Sequence, residues 1–249
     1  MYDVSIIMPC KNSENTILQA INSVRYQTYK DWELIIIDDG SDDSTLEICI
    51  KAAKYDPRIK ILRNGALNHG PACARNIGIK QACGKFIAFL DSDDCWSVNS
   101  LERRLELITK TGAKIVFGPY YRLLPSGKKN LVAVKRRITY SDMLTRNHIG
   151  NLTGLYDAIS LGKEYQENIR HEDYSMWCRL IERAEYAISV SGDGLGTYRV
   201  SESSLSSNKW HAFCWHWVVL RQKLRLGLLS ASVYQVKYAI HAIKIRLLD

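Results

Sequence analysis

Four mostly apolar runs alternate with helical patterns in the first hundred residues. The apolar runs lie at residues 4–8, 33–37, 59–63 and 86–90. Apolar residues without polar alternation are typical of parallel strands covered by helices on both faces. Helical spacing of apolar residues marks residues 16–24, 44–54, 72–82 and 99–110. Strand alternating with helix predicts an α/β fold with a Rossmann-like, mostly parallel sheet.

The second half of the chain has a less regular pattern. Residues 115–124 and 131–136 predict a hairpin about the turn at Pro125, Ser126 and Gly127. A helix is predicted over residues 173–183, followed by short strands up to residue 200. Because no repeat or low-complexity linker interrupts the pattern, we expect one catalytic domain over residues 1–205.

The last forty residues form a basic segment with a helical pattern. Apolar residues recur there at spacings of three and four, at Val233, Val236, Ile240, Ile243 and Leu247. This spacing predicts an apolar helix face, and Gly227 is expected to separate two helices. From residue 210 onward there are six Lys/Arg and one acidic residue. We therefore predict a basic amphipathic helical tail over residues 206–249. It would lie on an anionic membrane surface, close the core or form a dimer interface.

Composition narrows the compartment and the partners. The chain has 249 residues, is 46% hydrophobic and 24% charged, and carries a formal net charge of +8. The chain enters a strand pattern at once and has no apolar run of about 18 residues. Its seven cysteines are scattered and odd in number, which predicts neither a disulfide framework nor a zinc site. We expect a cytoplasmic protein, peripheral on the inner face of the cell membrane.

Acidic residues follow two of the predicted strands. Asp39 comes directly after the second strand, and Asp91 and Asp93 follow the fourth. Ligands of open parallel sheets bind beyond the carboxyl ends of the strands. Carboxylates repel one another in a partly dry cleft, and a bound Mn²⁺ or Mg²⁺ ion would offset that repulsion. Such an ion keeps phosphate oxygens in its shell, so the pattern favours a diphosphate ligand and argues against nucleic acid.

Four segments together resemble glycosyltransferase family 2, with its GT-A fold. They are Val4-Ser5-Ile6-Ile7-Met8-Pro9, Ile37-Asp38-Asp39-Gly40-Ser41-Asp42-Asp43-Ser44, Gly70-Pro71-Ala72-Cys73-Ala74-Arg75-Asn76-Ile77-Gly78 and Phe89-Leu90-Asp91-Ser92-Asp93-Asp94. Their order and spacing match as well as the residues do. The resemblance covers residues 3–205 and implies a nucleotide-binding half over residues 1–98 and an acceptor half over residues 99–205.

The resemblance also implies roles for individual residues. Asp93 is expected to bind the metal ion, and Asp39 to accept a hydrogen bond from a uracil-type N–H. Many relatives carry an aromatic residue where this chain has Lys11, so Lys11 is expected to contact phosphate instead. The residues expected to bind the nucleotide sugar are Pro9, Lys11, Asn12, Asp39, Arg75, Asp91 and Ser92.

A further carboxylate is needed because the acceptor hydroxyl must lose a proton as it attacks the sugar. The segment from His171 to Arg179 resembles the family's E-D-x-x-x-W-x-x-R motif, in which the Asp is the base. Asp173 is therefore the expected catalytic base. Glu172, His171 and Arg199 are expected near the acceptor or the diphosphate.

These expectations together predict an inverting glycosyltransferase. The donor would be a nucleoside-diphosphate sugar, with UDP as the expected nucleotide. The acceptor would be a glycan or a polyprenyl-diphosphate-linked glycan in polysaccharide or lipopolysaccharide assembly. Two alternatives are a nucleotidyltransferase that makes nucleotide sugars and a non-catalytic nucleotide-sugar binding module. The first usually has a Gly-rich basic loop where this chain has Pro9, Cys10 and Lys11.

Overall fold

The computed structural model describes residues 2–65, 69–168, 172–200 and 209–248. The strands are β1 Val4–Cys10, β2 Trp32–Asp38, β3 Ile59–Arg63, β4 Phe86–Phe89, β5 Cys95–Trp96, β6 Ile115–Phe117, β7 Tyr120–Leu123, β8 Lys129–Val132, β9 Arg137–Thr139, β10 Leu155–Asp157, β11 Tyr186–Ser189 and β12 Gly196–Arg199. The helices are α1 Ile17–Arg25, α2 Thr45–Tyr55, α3 Pro71–Gln81, α4 Ser100–Thr111, α5 Tyr140–Met143, α6 Ala158–Leu161, α7 Glu172–Ala184, α8 Lys209–Val218 and α9 Leu228–Leu248.

An eight-stranded sheet with helices on both faces forms the centre of the molecule. Its strand order is β3-β2-β1-β4-β10-β6-β11-β9. The four strands predicted from the sequence are parallel to one another. In the other half, β10 runs antiparallel to β4 and β6, and β9 runs antiparallel to β11. The predicted α/β architecture is confirmed, but the sheet is mixed in its second half.

The continuous apolar runs are explained by two separate cores. Every residue of β1 and of β2 is buried. Because side chains alternate across a strand, Ile6 and Leu34 pack into the core on one face, and Ile7 and Ile35 pack into the core on the other. A polar side chain on either face of these strands therefore needs a hydrogen-bond partner, as Ser5 and Glu33 provide for each other.

The predicted hairpin is only partly correct. The turn lies where expected, with Gly127 at a φ of +81° and with β7 and β8 paired antiparallel. The residues before it form two strands in different sheets, because the chain leaves β6 of the main sheet and enters β7 of a four-stranded sheet ordered β5-β12-β7-β8. Arg199 of β12, in this second sheet, contacts the loop after β4 of the main sheet.

The cysteines take part in no disulfide. All seven are free. Cys10, Cys49 and Cys178 are buried, whereas Cys83 and Cys214 are exposed. A buried cysteine packs as a small apolar side chain, which is the role of the first three.

The tail contains two helices separated near Gly227, as predicted. After α8 a short π-helical segment covers Val219–Lys223. Helix α9 then packs against α8 to form a helical pair. Ala231 and Gln235 lie on the buried side of α9. The predicted apolar face points elsewhere, since Val236 is 57% and Ile240 is 49% exposed. Within the described residues no helix is both long and apolar enough to cross a bilayer.

Candidate active site

A cavity of about 580 Å³ lies at the carboxyl edge of β1, β2 and β4. The register explains this position, because Cys10 pairs with Asp38, and Ile7 pairs with both Ile35 and Phe89. The loops after the three strands therefore leave the sheet side by side. The described residues that line the cavity are Pro9, Cys10, Lys11, Asp39, His69, Gly70, Pro71, Ala74, Arg75, Asp91, Ser92 and Asp93.

Asp39 is buried at one end of this cavity, with 4% of its surface exposed. Its Oδ1 accepts from Asn64 Nδ2 at 2.5 Å and from His69 Nδ1 at 3.2 Å, and its Oδ2 accepts from the Gly70 amide at 2.7 Å. A carboxylate offers about four acceptor positions. Three donors therefore fix the orientation of the group and leave capacity for one more donor.

The residues at the end of β1 and in the loop after it do not all line the cavity. Pro9 and Lys11 line the cavity, as does Ser92, whose hydroxyl lies 2.8 Å from that of Ser13. Asn12 does not line it. The Asn12 Oδ1 accepts from the Asp42 amide at 2.9 Å, and its backbone is left-handed with a φ of 48°. Asn12 therefore joins the loop after β1 to the loop after β2, and its contact with the nucleotide stays a prediction.

Arg75 links the two halves of the chain at the centre of the site. Its side chain is buried, and its Nη2 donates to Asp91 Oδ1 at 2.6 Å while its Nη1 donates to Glu172 Oε1 at 3.0 Å. Gln166 Oε1 accepts from the same Nη1 at 3.2 Å. The two carboxylates raise the pKa of Arg75 although burial opposes its charge. The buried Nε of Arg75 has no hydrogen-bond partner among the described residues.

Three acidic residues within four positions, Asp91, Asp93 and Asp94, crowd the loop after β4. Burial and the neighbouring Asp91 raise the pKa of Asp93. Burial, Asp91 and Asp93 together raise the pKa of Asp94 well above its usual range. Repulsion of this kind is what a bound cation relieves. No group of three or more protein ligands for a metal occurs in the described part of the chain, so an ion here fits only with phosphate and water completing its shell.

Arg199 reaches the same acidic loop from the second sheet. Its backbone amide donates to Asp94 Oδ1 at 2.9 Å, and its Nε donates to the Asp93 carbonyl oxygen at 3.3 Å. Gln19 Oε1 accepts from its Nη2 at 3.1 Å. Arg199 therefore lies beside the acidic loop, with one hydrogen bond to the Asp94 carboxylate and one to the Asp93 carbonyl oxygen. His171 lies outside the described residues.

Asp173 lies at the first turn of α7, next to the Glu172 that binds Arg75. Its Oδ1 accepts from the Tyr174 amide at 2.7 Å, and its Oδ2 accepts from Asn147 Nδ2 at 3.0 Å. Burial, followed by the charge of Glu172, raises the pKa of Asp173 to about 6. A carboxylate with this pKa is a stronger proton acceptor than an ordinary Asp and is still ionised at neutral pH.

The family follows from comparison with known proteins. The family model described as "Glycosyl transferase family 2" matches residues 5–162. The chain belongs to glycosyl transferase family 2. It is 36% identical over 98% of its length to the Escherichia coli protein named UDP-Glc:alpha-D-GlcNAc-diphosphoundecaprenol beta-1,3-glucosyltransferase WfgD, 94% of which is covered. It is also 35% identical to the putative teichuronic acid biosynthesis glycosyltransferase TuaG of Bacillus subtilis. That match covers 98% of this chain and 97% of TuaG.

Two solved structures share the fold. S. aureus TarS 1–349, solved with UDP-GlcNAc, superposes with a TM-score of 0.75 over 95% of this chain and 71% of that one, at 20% identity. The mannosyltransferase PcManGT of Pyrobaculum calidifontis, solved with GDP-Man and Mn²⁺, gives a TM-score of 0.67 at 16% identity, over 94% of this chain and 70% of that one. The chain is a glycosyltransferase of the GT-A fold, and the nucleotidyltransferase and non-catalytic alternatives are therefore set aside.

Several residues of the site were not predicted from the sequence. His69 is the aromatic residue among the described residues that line the cavity, and it holds Asp39 together with Asn64. Asn147 binds Asp173 from a loop 26 positions away in the chain. Asp94 follows the two predicted acids and is buried. The acidic run itself signalled Asp94, whereas the other three residues carry no motif.

Replacing Arg75 tests how much the site depends on its central cation. In Arg75→Met, Asp91 and Glu172 lose their shared counter-ion, and removal of one partner from a buried pair is strongly destabilising. We expect the free energy of unfolding, measured by urea denaturation, to fall by about 3 kcal/mol. Arg183→Met is the control, because Arg183 pairs with Glu164 at a more exposed position and should cost less than about 1 kcal/mol. Equal losses in the two variants would contradict the assignment.

Proposed function

We propose that this protein is an inverting glycosyltransferase that moves a sugar from a UDP-sugar to an acceptor hydroxyl. The acceptor is a glycan carried on a lipid diphosphate in bacterial surface-polysaccharide assembly. One observation carries the proposal: Asp39 and Asp93 line the same cavity, while Arg75 joins that cavity to the segment of Glu172 and Asp173. Under this proposal residues 1–98 bind the nucleotide, residues 99–205 bind the acceptor, and residues 206–249 form the tail.

The donor is assigned from the chemistry of the cavity. Asp39 has acceptor capacity left for a base N–H, and the imidazole of His69 is positioned beside it for contact with a base. Lys11 and the Nε of Arg75 are donors suited to diphosphate or sugar oxygens. TarS was solved with UDP-GlcNAc, and WfgD is named for UDP-Glc. These names support a UDP-sugar donor without choosing the sugar.

Asp93 is the residue proposed to bind Mn²⁺ or Mg²⁺, with Asp91 beside it. When bound, such an ion neutralises the negative charge that develops on the leaving diphosphate. Burial and the charge of Asp91 raise the pKa of Asp93, and a bound cation would offset that cost. Ser92 lies between the two acids and lines the cavity, where it can donate to a hydroxyl or phosphate oxygen of the donor.

Asp173 is proposed to remove the proton of the acceptor hydroxyl. As the hydroxyl oxygen bonds to the anomeric carbon, the bond from that carbon to the diphosphate oxygen breaks, and the nucleoside diphosphate leaves. Attack from the face opposite the leaving group inverts the anomeric centre. Asn147 holds Asp173 in place by donating to Oδ2, and Glu172 is fixed by Arg75. Glu172 is therefore a positioning residue in this proposal.

The acceptor is inferred from the relatives. WfgD is named for an acceptor in which GlcNAc is linked to diphosphoundecaprenol, and TuaG for teichuronic acid biosynthesis. Both relatives match this chain over nearly its whole length, including the tail. A lipid-linked acceptor places the reaction at the cytoplasmic face of the membrane, which is the localisation we propose.

The pH dependence of transfer tests the role of Asp173. The group must be deprotonated to accept a proton, and its pKa lies at about 6. We expect kcat/KM to be flat above neutral pH and to decline as pH falls through about 6. Asp173→Asn should lower transfer about 10²- to 10⁴-fold and keep UDP binding, measured by calorimetry. A variant that retains both the rate and the acidic limb of the profile would remove Asp173 as the base.

Thermal shift measurements test the metal and the nucleotide together. UDP with Mn²⁺ should raise the Tm of the full chain, since a ligand that binds only the folded state stabilises it. Asp93→Asn should lose most of that shift. Asp193→Asn, at an exposed carboxylate outside the cavity, should keep it. If UDP with Mn²⁺ raises the Tm of Asp93→Asn as much as that of the unmodified chain, the metal assignment is wrong.

The tail is proposed to lie on an anionic membrane surface. The exposed face of α9 is apolar over its described length, with Leu229, Val233, Val236 and Ile240 between 47% and 82% exposed. Lys237 is exposed on the same helix. An apolar stripe flanked by basic residues is typical of helices that lie in the membrane interface. The charge of the tail favours anionic lipid over a second, equally basic copy of this chain.

Vesicle binding tests the apolar face of α9. The double variant Val236→Asp, Ile240→Asp should bind phosphatidylglycerol vesicles at least about tenfold more weakly in a co-sedimentation assay, since two apolar side chains lose their burial in lipid. Binding by the unmodified chain should weaken with salt. Ile50→Asp, at an exposed isoleucine on α2, is the matched control. Equal sedimentation of all three proteins would contradict the proposal, and concentration-dependent dimerisation lost in the double variant would assign the face to a second copy.

A further inference from the structure

Arg146 is a half-buried cation that forms no ion pair with a carboxylate in the described part of the chain. Its guanidinium instead donates to two imidazoles. The Nε of Arg146 donates to His148 Nε2 at 3.3 Å, and its Nη1 donates to His241 Nε2. An arginine with its remaining N–H groups directed at no carboxylate is a common feature of phosphate-binding sites.

The electrostatic state of this cluster is unusual for a structural arginine. Burial lowers the pKa of the Arg146 guanidinium. Burial and the charge of Arg146 together lower the pKa of His148 to about 4. His148 is therefore neutral at physiological pH and accepts from Arg146 through Nε2, which leaves its proton on Nδ1. The cluster combines one partly desolvated positive charge with a further N–H donor, and an anion would relieve the cost of that charge.

The cluster lies on the acceptor side of the candidate active site. Asn147, the next residue in the chain, donates to Asp173 Oδ2 at 3.0 Å. The charges of Arg146 and Asp94 both act on the phenol of Tyr120. Arg146 is therefore next in the chain to the residue that holds the proposed base, and it does not line the donor cavity.

His241 connects the cluster to the tail. It follows Ile240, which belongs to the exposed apolar face of α9. An anion held by Arg146 and His241 would consequently lie close to the surface that we propose to contact lipid. A diphosphate that joins a sugar to a lipid chain has this arrangement of groups, with the sugar hydroxyl on one side and the hydrocarbon on the other.

We propose that Arg146, with His148 and His241, binds the diphosphate of a lipid-linked acceptor and so presents the acceptor hydroxyl to Asp173. This inference rests on the proposed function, because it assigns the acceptor subsite of that reaction. It adds a second anion site, separate from the cavity that binds the donor diphosphate. Residues from the acceptor half and from the tail form the site together.

Direct binding of decyl diphosphate to the full chain tests the site without any sugar transfer. In calorimetry with EDTA present, Arg146→Gln should raise the Kd at least about tenfold, as expected for a lost charged hydrogen bond. Arg146→Lys should raise it less, since the charge remains and the planar fork is lost. Arg136→Gln, at an exposed arginine elsewhere, should leave the Kd unchanged. Excess UDP should not displace the probe.

Two results in that titration would overturn the site. One is displacement of decyl diphosphate by UDP together with unchanged binding by Arg146→Gln, which would place the probe in the donor cavity. The other is equal binding by Arg146→Gln and Arg136→Gln. If Arg146→Gln does not fold, His241→Gln at the half-buried end of the cluster provides the same comparison, with a smaller rise in Kd expected.

Kinetics and vesicle binding separate this inference from the proposed function and from lipid headgroup binding. With an alkyl-diphosphate-linked sugar as acceptor, Arg146→Gln should raise the acceptor KM at least about tenfold and leave the KM for the UDP-sugar unchanged. Absence of transfer by the unmodified chain would contradict the proposed function, while probe binding would still decide the site. Loss of phosphatidylglycerol vesicle binding in Arg146→Gln with an unchanged acceptor KM would assign Arg146 to lipid headgroups and overturn the proposal.

Discussion

The two ion pairs of Arg75 hold the candidate active site together. The residue belongs to α3, yet its guanidinium spans from Asp91 after β4 to Glu172 at the start of α7. A buried guanidinium is costly unless it is paired, and both carboxylates would repel each other without it. The position of α7, and with it that of Asp173, therefore depends on the same side chain that borders the cavity at the sheet edge. The loop after β4 and α7 cannot shift independently without separating these charges.

The protein leaves negative charge poorly compensated in the loop after β4 and positive charge poorly compensated at Arg146. Asp93 and Asp94 have raised pKa values because burial and neighbouring acids oppose their ionisation. Arg146 has a lowered pKa because burial opposes its charge, and no carboxylate in the described part of the chain pairs with it. Such unpaired groups cost stability, and they cluster at functional sites for that reason. A cation with a diphosphate at the first position and an acceptor anion at the second would restore the balance.

The sequence predicted those features that depend on local pattern, namely the first four strands and the acidic residues at their ends. The four predicted runs became β1 to β4. Strands β1, β2 and β4 are buried along their whole length, whereas β3 at the edge of the sheet exposes Lys60 and Arg63. The acids after β2 and β4 share one edge because parallel strands end together. Long-range pairings were not accessible. The insertion of β10 between β4 and β6 depends on strand order, and the contact between Asn147 and Asp173 depends on a loop without any motif. Asn12 illustrates the converse, since a residue beside a motif joins loops instead of lining the cavity.

The tail packs directly against the segment that carries Asp173. His216 of α8 is stacked between Tyr174, which follows Asp173, and Tyr238 of α9, at centroid distances of 5.8 Å and 4.3 Å. Gln235 binds both His216 and the Phe213 carbonyl oxygen. Because this packing uses the inner side of α9, its apolar outer side remains exposed. A helix that only closed the core would bury its apolar residues inward. The opposite distribution is expected of a helix that orients the base of α7 relative to a lipid surface.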